Sequence, residues 1–166
     1  QSLKDNGRTF TQQFVALPGK SEHQTGLAID LGLKKESIDF IRPDFPYIGI
    51  CQQFREKSVP YGFIERYPRE KEHITGIAHE PWHFRYVGTP HAEIMREHHF
   101  CLEEYIDFLK RFSQDQPYTF YKDSQEIQIF YLKADTESVS LEVAEDGSLS
   151  VSGNNVDGYI ITEWRG

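Results

Sequence analysis

Hydrophobic and polar positions alternate with clear periods along much of the chain and predict short strands and helices. Positions 27, 29, 31 and 33 are apolar and place one face of a predicted strand over residues 27–33, whereas positions 28, 30 and 32 share the other face. Asp30 lies on this second face between Ala28 and Gly32. Because these neighbours are small, we expect open space beside the Asp30 carboxylate.

Further elements follow from the same periods. Helical spacing predicts a helix over residues 47–58 that ends before Gly62, and a helix that opens at Pro90-His91. An apolar stripe of the i, i+3, i+4, i+7 kind predicts another helix from about Cys101 to residue 109. Strands are predicted over residues 63–67 and 82–87, and residues 9–17 are rich in strand formers.

The character of the chain changes near Ser113. Residues 114–117 (QDQP) are typical of a linker, and the following sequence is strand-like, with runs at 127–132, 139–143 and 159–161 and a turn at Asp146-Gly147. This segment contains no histidine. The pattern predicts an α+β domain over residues 1–112 and a β-rich appendage over residues 113–166.

Composition narrows the classes of function. The net charge of −8 argues against a nucleic-acid or anionic-membrane surface, and no apolar run is long enough to span a membrane. Two cysteines are too few for a disulfide framework, which favours a reducing, cytoplasmic compartment. The chain begins at Gln1 without Met, so we expect a preceding segment to be missing.

Two stretches carry the candidate chemistry: residues 21–30 (SEHQTGLAID) and residues 80–83 (EPWH). They supply two imidazoles and two carboxylates. A catalytic zinc usually takes three protein ligands and keeps a fourth position for water. His23, Asp30 and His83 therefore are candidate ligands, and Glu80 is left as a candidate general base.

This arrangement makes a structural demand on residues 80–83. Pro81 biases Glu80 towards an extended backbone and excludes the helical His-Glu-x-x-His arrangement. In a flat strand, side chains three positions apart point to opposite faces. Glu80 and His83 can meet at one metal only if the chain bends or bulges at Pro81-Trp82.

Any one of these residues is, by its type alone, more often structural than a ligand. The aromatic side chains at positions 82, 84 and 86 are expected in a core whatever the function. The other histidines, at positions 73, 79, 91, 98 and 99, are expected to be solvated or to cap helices. The metal hypothesis depends on the joint pattern.

That joint pattern resembles the zinc D,D-peptidases of the VanX, VanY and VanXY type, which share a fold with the Hedgehog signalling domain. Both family signatures, Ser-x-His-x-x-Gly-x-Ala-x-Asp and Glu-x-Trp-His, are matched in full at residues 21–30 and 80–83. Residues 14–19 (FVALPG) and 62–68 (GFIERYP) resemble the VanXY branch in particular. The resemblance covers about residues 1–111.

The resemblance implies hydrolysis of D-Ala-D-Ala-type termini, either the free dipeptide or a peptidoglycan precursor, as in glycopeptide resistance. It implies one catalytic Zn²⁺ held by His23, Asp30 and His83, with Glu80 as the general base. Ser21 matches the serine that binds the terminal carboxylate of the substrate. The resemblance does not determine whether the dipeptide or a pentapeptide is preferred. It also leaves open the terminal residue, D-Ala, D-Ser or D-lactate, and the oligomeric state.

The chain departs from the family pattern in one segment, and this departure leaves alternative functions open. The family carries an upstream Gly-Tyr-Arg-(Ser/Thr)-x-x-Glu-Gln segment whose arginine stabilises the oxyanion, and this chain contains no such segment. Loss of an oxyanion donor typically costs about a hundred- to a thousand-fold in turnover, so impaired activity is expected for this chain as it stands. The alternatives are an L,D- or endolysin-type peptidase of the same superfamily, or a non-catalytic zinc-binding module.

Overall fold

The structure is a computed structural model that describes residues 21–135, 138, 141 and 147–165. The predicted strand-forming run at 9–17, most of the run at 139–143 and Asp146 of the predicted turn lie outside these residues. The chain divides into two compact units, residues 1–103 and 104–166. The proposed domain boundary after residue 112 stays a prediction.

Helices and strands are short in both units. The helices are α1 (Gly49–Ser58), α2 (Glu72–Thr75), α3 (His91–His98) and α4 (Leu102–Leu109), and the division between the units falls within α4. The strands are β1 (Ala28–Asp30), β2 (Phe63–Tyr67), β3 (Glu80–Tyr86), β4 (Tyr118–Lys122), β5 (Gln125–Lys133), β6 (Ser148–Gly153) and β7 (Gly158–Arg165). Single turns of 3₁₀ helix span Glu22–Thr25, Val59–Tyr61 and Arg69–Lys71. The predicted α+β class is confirmed.

The first unit is built on an antiparallel sheet in the order β1-β3-β2. Its core contains Phe45, Cys51, Trp82 and Phe84, and α1 contributes Phe54, whose ring lies 5.0 Å from that of Phe84. Burial of aromatic side chains of this size is the main source of stability in such a small core. The buried Trp82 and Phe84 alternate with site residues on β3, so the core also fixes the strand that carries the site.

The predicted helix over residues 47–58 and its end before Gly62 are confirmed, with α1 followed by one 3₁₀ turn. Gly62 has φ 85°, a left-handed conformation that glycine adopts without a Cβ penalty. A Cβ at this position would also lie 2.7 Å from the Cα of Gly88. Both constraints require glycine where the chain turns into β2.

The predicted strand over residues 27–33 is too long, since β1 contains only Ala28–Asp30. The ladder with β3 continues to a hydrogen bond from Leu31 N to Trp82 O, and Leu33 N then bonds Asp44 O instead. Pro81 comes next on β3 and has no N–H to offer. Leu27 and Ile29 are 39% and 38% exposed, so the described residues cover the predicted apolar face only in part.

The second unit contains an antiparallel sheet in the order β4-β5-β7-β6. Ile127, Ile129, Phe130 and Ile161 are buried in it. This matches the β-rich appendage predicted from alternation after residue 113. Within the described residues, no helix is both long and apolar enough to cross a membrane.

Candidate metal centre and its carboxylates

Three short elements bring the predicted ligands together. His23 lies in the 3₁₀ turn Glu22–Thr25, and Gly26, with φ 72°, reverses the chain from that turn into β1. Asp30 ends β1 and stands directly opposite His83 in the antiparallel pair of β1 and β3. Cross-strand partners have adjacent side chains, so the register of the sheet itself places Asp30 beside His83.

The donor atoms are close enough to share one ion. His83 Nδ1 lies 2.9 Å from Asp30 Oδ1, and His23 Nε2 lies 3.3 Å from Asp30 Oδ2. All three residues offer donor atoms within 4.8 Å of one another. Two donors bound tetrahedrally to zinc at about 2.1 Å lie roughly 3.4 Å apart. The two imidazoles and one carboxylate therefore fit a zinc ion in both chemistry and spacing.

The predicted bulge before His83 is confirmed by the pairing of β2 and β3. Glu65 pairs with Phe84 and Tyr67 pairs with Glu80, so two steps along β2 correspond to four along β3. The additional residues on β3 include Pro81 and Trp82. As a result Glu80 Oε2 lies 3.8 Å from His83 Nδ1, the atom that faces Asp30.

The bulge is held from behind by Arg55 on α1. Its Nη2 donates to Pro81 O at 2.7 Å and to Phe45 O at 2.7 Å, and its Nε donates to Glu65 Oε2 at 2.8 Å. Charge-assisted hydrogen bonds of this length are among the stronger ones in proteins. Arg55 thus ties the helix, the preceding loop and the bulged strand together.

Glu80 is buried, and its electrostatic surroundings suit a proton acceptor. Burial of the carboxyl is the largest influence and raises its pKa, the facing His83 lowers it, and the nearby Asp30 and Glu22 raise it, which brings the pKa of Glu80 to about 7. A general base works best when its pKa is near the working pH. The metal-free protein thus keeps a carboxyl with a pKa near neutrality beside the candidate metal ligands.

The pKa of His83 is raised and the pKa of Glu22 is lowered, and each shift favours the charged form of its group. Burial opposes the charged imidazole, but interactions with Asp30 and Glu22 outweigh it and raise the pKa of His83 to about 9. Burial also opposes the charged form of Glu22, but His83 and the Arg66 guanidinium lower the pKa of Glu22 to about 2. Both groups therefore hold their charges in the absence of a metal.

Glu22 was not predicted as a site residue. It lies between His23 and Ser21 in the first signature, and its Oε1 accepts a hydrogen bond of 2.8 Å from Arg66 Nε. Arg66 Nη1 and Nη2 donate to Glu103. The sequence signal was only the position of Glu22 beside a candidate ligand, because its partner is 44 residues away.

Ser21 lies beside the same site. It precedes the 3₁₀ turn, its side chain makes no capping hydrogen bond, and it lines a cavity of about 100 Å³. The cavity is also lined by Glu22, His23, Asp30, Ile41, Tyr67, Ile77, Glu80, Trp82 and His83. The structure thus brings all five predicted site residues, Ser21, His23, Asp30, Glu80 and His83, to one cavity.

A mixed helix and sheet fold that presents two imidazoles and a carboxylate, with a second carboxylate beside them, is typical of metallopeptidases with a single metal ion. Comparison with known families gives the particular one. Residues 1–89 match the VanY family, D-alanyl-D-alanine carboxypeptidase. The chain belongs to this family.

Individual relatives support the VanXY branch. The chain is 56% identical over 109 residues to the bifunctional D-Ala-D-Ala dipeptidase and D-Ala-D-Ala carboxypeptidase VanXYC of Enterococcus gallinarum, which covers 65% of this chain and 57% of that protein. It is 40% identical over 152 residues to a D-alanyl-D-alanine carboxypeptidase of Enterococcus faecium, covering 91% of this chain and 46% of that protein. The chain thus spans about half the length of these relatives.

A solved structure is similar over both units. The crystal structure of the vancomycin resistance D,D-dipeptidase VanXYg, in complex with a D-Ala-D-Ala phosphinate analogue, matches with a TM-score of 0.95 and 56% identity. The match covers 99% of this chain and 66% of that one. The predicted resemblance to VanXY-type D,D-peptidases, in sequence and in fold, is confirmed.

Proposed function

We propose that the chain forms the metal-binding part of a zinc-dependent D,D-peptidase that hydrolyses D-Ala-D-Ala-type termini. The observation that carries this proposal is the convergence of His23, Asp30 and His83 within 4.8 Å, with Glu80 Oε2 3.8 Å from His83 Nδ1. The names of the relatives supply the substrate class, since they act on or bind D-Ala-D-Ala and its analogue.

In this proposal His23, Asp30 and His83 hold one zinc ion. Zinc, when bound, acts as a Lewis acid on the scissile carbonyl and lowers the pKa of water. Glu80 accepts a proton from the attacking water and returns it to the amine of the leaving D-amino acid. The new C–O bond forms first, the C–N bond breaks once the amine nitrogen has received this proton, and the products are a free carboxylate and D-Ala.

Ser21 is proposed to orient the substrate. Its position on the cavity beside His23 lets a neutral hydroxyl donate a hydrogen bond to the terminal carboxylate. Trp82 and Ile41, which line the same cavity, offer apolar surface to the methyl groups of a D-Ala-D-Ala terminus. Such contacts mainly position the scissile bond near the base.

The test compares two matched carboxylate variants of the intact gene product. Glu80→Gln keeps the size of the side chain and removes the base, so we expect D-Ala release to fall by about a hundred- to ten-thousand-fold. Glu97→Gln, on the exposed surface of α3, should release D-Ala at the wild-type rate. Full activity in Glu80→Gln would contradict the proposed mechanism.

Three substrates distinguish the D,D-peptidase from the two alternative functions. D-Ala-D-Ala, a pentapeptide precursor ending in D-Ala-D-Ala, and an L-Ala-D-Glu peptide should be assayed in parallel. Release from the first two supports the D,D-peptidase, whereas cleavage of the third alone supports an L,D- or endolysin-type enzyme. Zinc binding without turnover of any of them supports a non-catalytic module.

The cellular location is a further part of the proposal. Cys51 and Cys101 are both buried and are not joined in a disulfide, which favours a reducing cytoplasm. Thiol labelling of unfolded protein taken from cells tests it: two reactive thiols per chain are expected, and a disulfide between them would contradict it.

A further inference from the structure

Two buried polar atoms beside the metal centre face each other without a hydrogen bond. Among the described residues, Glu22 Oε2 and His83 Nε2 are the buried side-chain atoms that lack a partner. They lie 3.6 Å apart, which is about half an ångström longer than an ordinary N–H···O hydrogen bond. An unsatisfied buried polar atom costs about 1–3 kcal/mol, so a small shift that joins this pair is favourable.

Glu22 is held in place for such a contact. Arg66 Nε donates to Glu22 Oε1 at 2.8 Å, and Arg85 Nη1 lies 3.7 Å from Glu22 Oε2. The side chains of both arginines are only 8% exposed. Because each arginine is a permanent donor, the carboxylate is oriented with Oε2 towards the imidazole.

The other ring nitrogen of His83 faces the metal centre. Nδ1 lies 2.9 Å from Asp30 Oδ1 and 3.8 Å from Glu80 Oε2. A neutral imidazole has one N–H and one lone pair, and a metal needs the lone pair. Nδ1 can therefore bind a metal only when the proton is carried by Nε2.

We propose that Glu22 is a positioning residue that accepts the Nε2–H of His83 and so keeps the Nδ1 lone pair directed at the zinc site. The inference rests on the proposed function in one respect, that His83 is a zinc ligand. Carboxylate partners of metal-bound histidines fix the tautomer and the ring orientation, and their loss typically weakens metal binding about 10–100-fold. The salt link to Arg66 and Arg85 connects this contact to the interior of the first unit.

Two isosteric variants that share Arg66 test the inference. Glu22→Gln keeps the volume but replaces one carboxylate oxygen with an NH₂ donor, so Arg66 and His83 Nε2–H can no longer both be accepted. Glu103→Gln makes the same change on the other carboxylate partner of Arg66, where Glu103 Oε1 lies 2.6 Å from Arg66 Nη2. Zinc affinity is measured by competition with a chromophoric chelator.

We expect Glu22→Gln to weaken zinc binding about 10–100-fold and Glu103→Gln to change it by less than about threefold. Unchanged affinity in Glu22→Gln, or equal losses in both variants, would overturn the inference, since equal losses indicate that the Arg66 salt links matter only for packing. Absence of zinc binding in the wild type overturns both this inference and the proposed metal site. Zinc binding with the expected loss, but without D-Ala release, refutes only the proposed activity.

A measurement on the wild type does not depend on the folding of any variant. Nitrogen-15 NMR of the zinc-loaded protein reports which ring nitrogen of each histidine carries a proton. We expect His83 to be protonated at Nε2 and metal-bound at Nδ1. Metal binding through Nε2 would overturn the inference.

Discussion

Glu80 combines two opposing requirements in one side chain. The proposed role needs a carboxylate close to the metal ligands, yet burial raises the pKa of Glu80 from 4.5 to about 7. The unfolded chain ionises this group at its ordinary pKa. Above pH 7 the folded, metal-free protein therefore bears the cost of ionising a buried carboxylate.

This cost predicts that Glu80→Gln stabilises the metal-free protein at high pH. Because the folded pKa is raised, the penalty is absent below about pH 4.5 and complete above about pH 7. We expect a gain of about 1–3 kcal/mol in the free energy of unfolding at pH 8, and a clearly smaller gain at pH 5, where only the first part of the penalty is present. Urea unfolding with a chelator present measures both values, and an equal gain at the two pH values would contradict the assigned pKa.

At the scale of residues, the sequence indicates the candidate ligands but not the residues that support them. Few types of side chain bind a metal ion or transfer a proton, so candidates can be found in the sequence by residue type and spacing. These candidates are His23, Asp30, Glu80 and His83. Glu22 carries no signal of its own, since its role depends on Arg66, His83 and Arg85, which approach it only in the folded chain.

At the scale of elements, the bulge in β3 brings the Glu80 carboxylate to the candidate metal ligands. It was predictable because Pro81 lies between two residues that have to point the same way. Its support by Arg55 was not predictable, because the three carbonyl oxygens that Arg55 reaches lie on two segments far apart in sequence, Phe45-Pro46 and Pro81. β1 is shorter than the alternation over residues 27–33 predicts, because its pairing ends at the bulge of the neighbouring strand.

Replacement of Arg55 tests whether its hydrogen bonds stabilise the bulged strand. Arg55→Met keeps an unbranched chain but leaves three partly buried carbonyl oxygens and the Glu65 carboxylate without their donor. We expect a loss of about 3–5 kcal/mol in the free energy of unfolding. Arg96→Met, on an exposed position of α3, should cost less than about 0.5 kcal/mol. Similar losses of unfolding free energy in the two variants, measured by urea unfolding, would contradict this role of Arg55.

At the scale of the whole molecule, the predicted site residues lie between positions 21 and 83, all within the first unit. The α+β class, the strand-rich segment after residue 113 and the helix at α1 followed from periodicity, whereas Pro90-His91 indicated the start of α3. Side-chain periodicity does not by itself determine where one compact unit ends, and the domain boundary after residue 112 stays a prediction. The acidic net charge of −8 agrees with a small-molecule or peptide substrate better than with a polyanion.

The central claim is that His23, Asp30 and His83 hold one zinc ion beside Glu80. Anomalous diffraction at the zinc absorption edge, from crystals of protein loaded with one equivalent of zinc, tests it most directly. The account predicts a single strong peak about 2.0–2.2 Å from His23 Nε2, an Asp30 carboxylate oxygen and His83 Nδ1. A peak bound by other residues, or no peak at this site, would contradict the account.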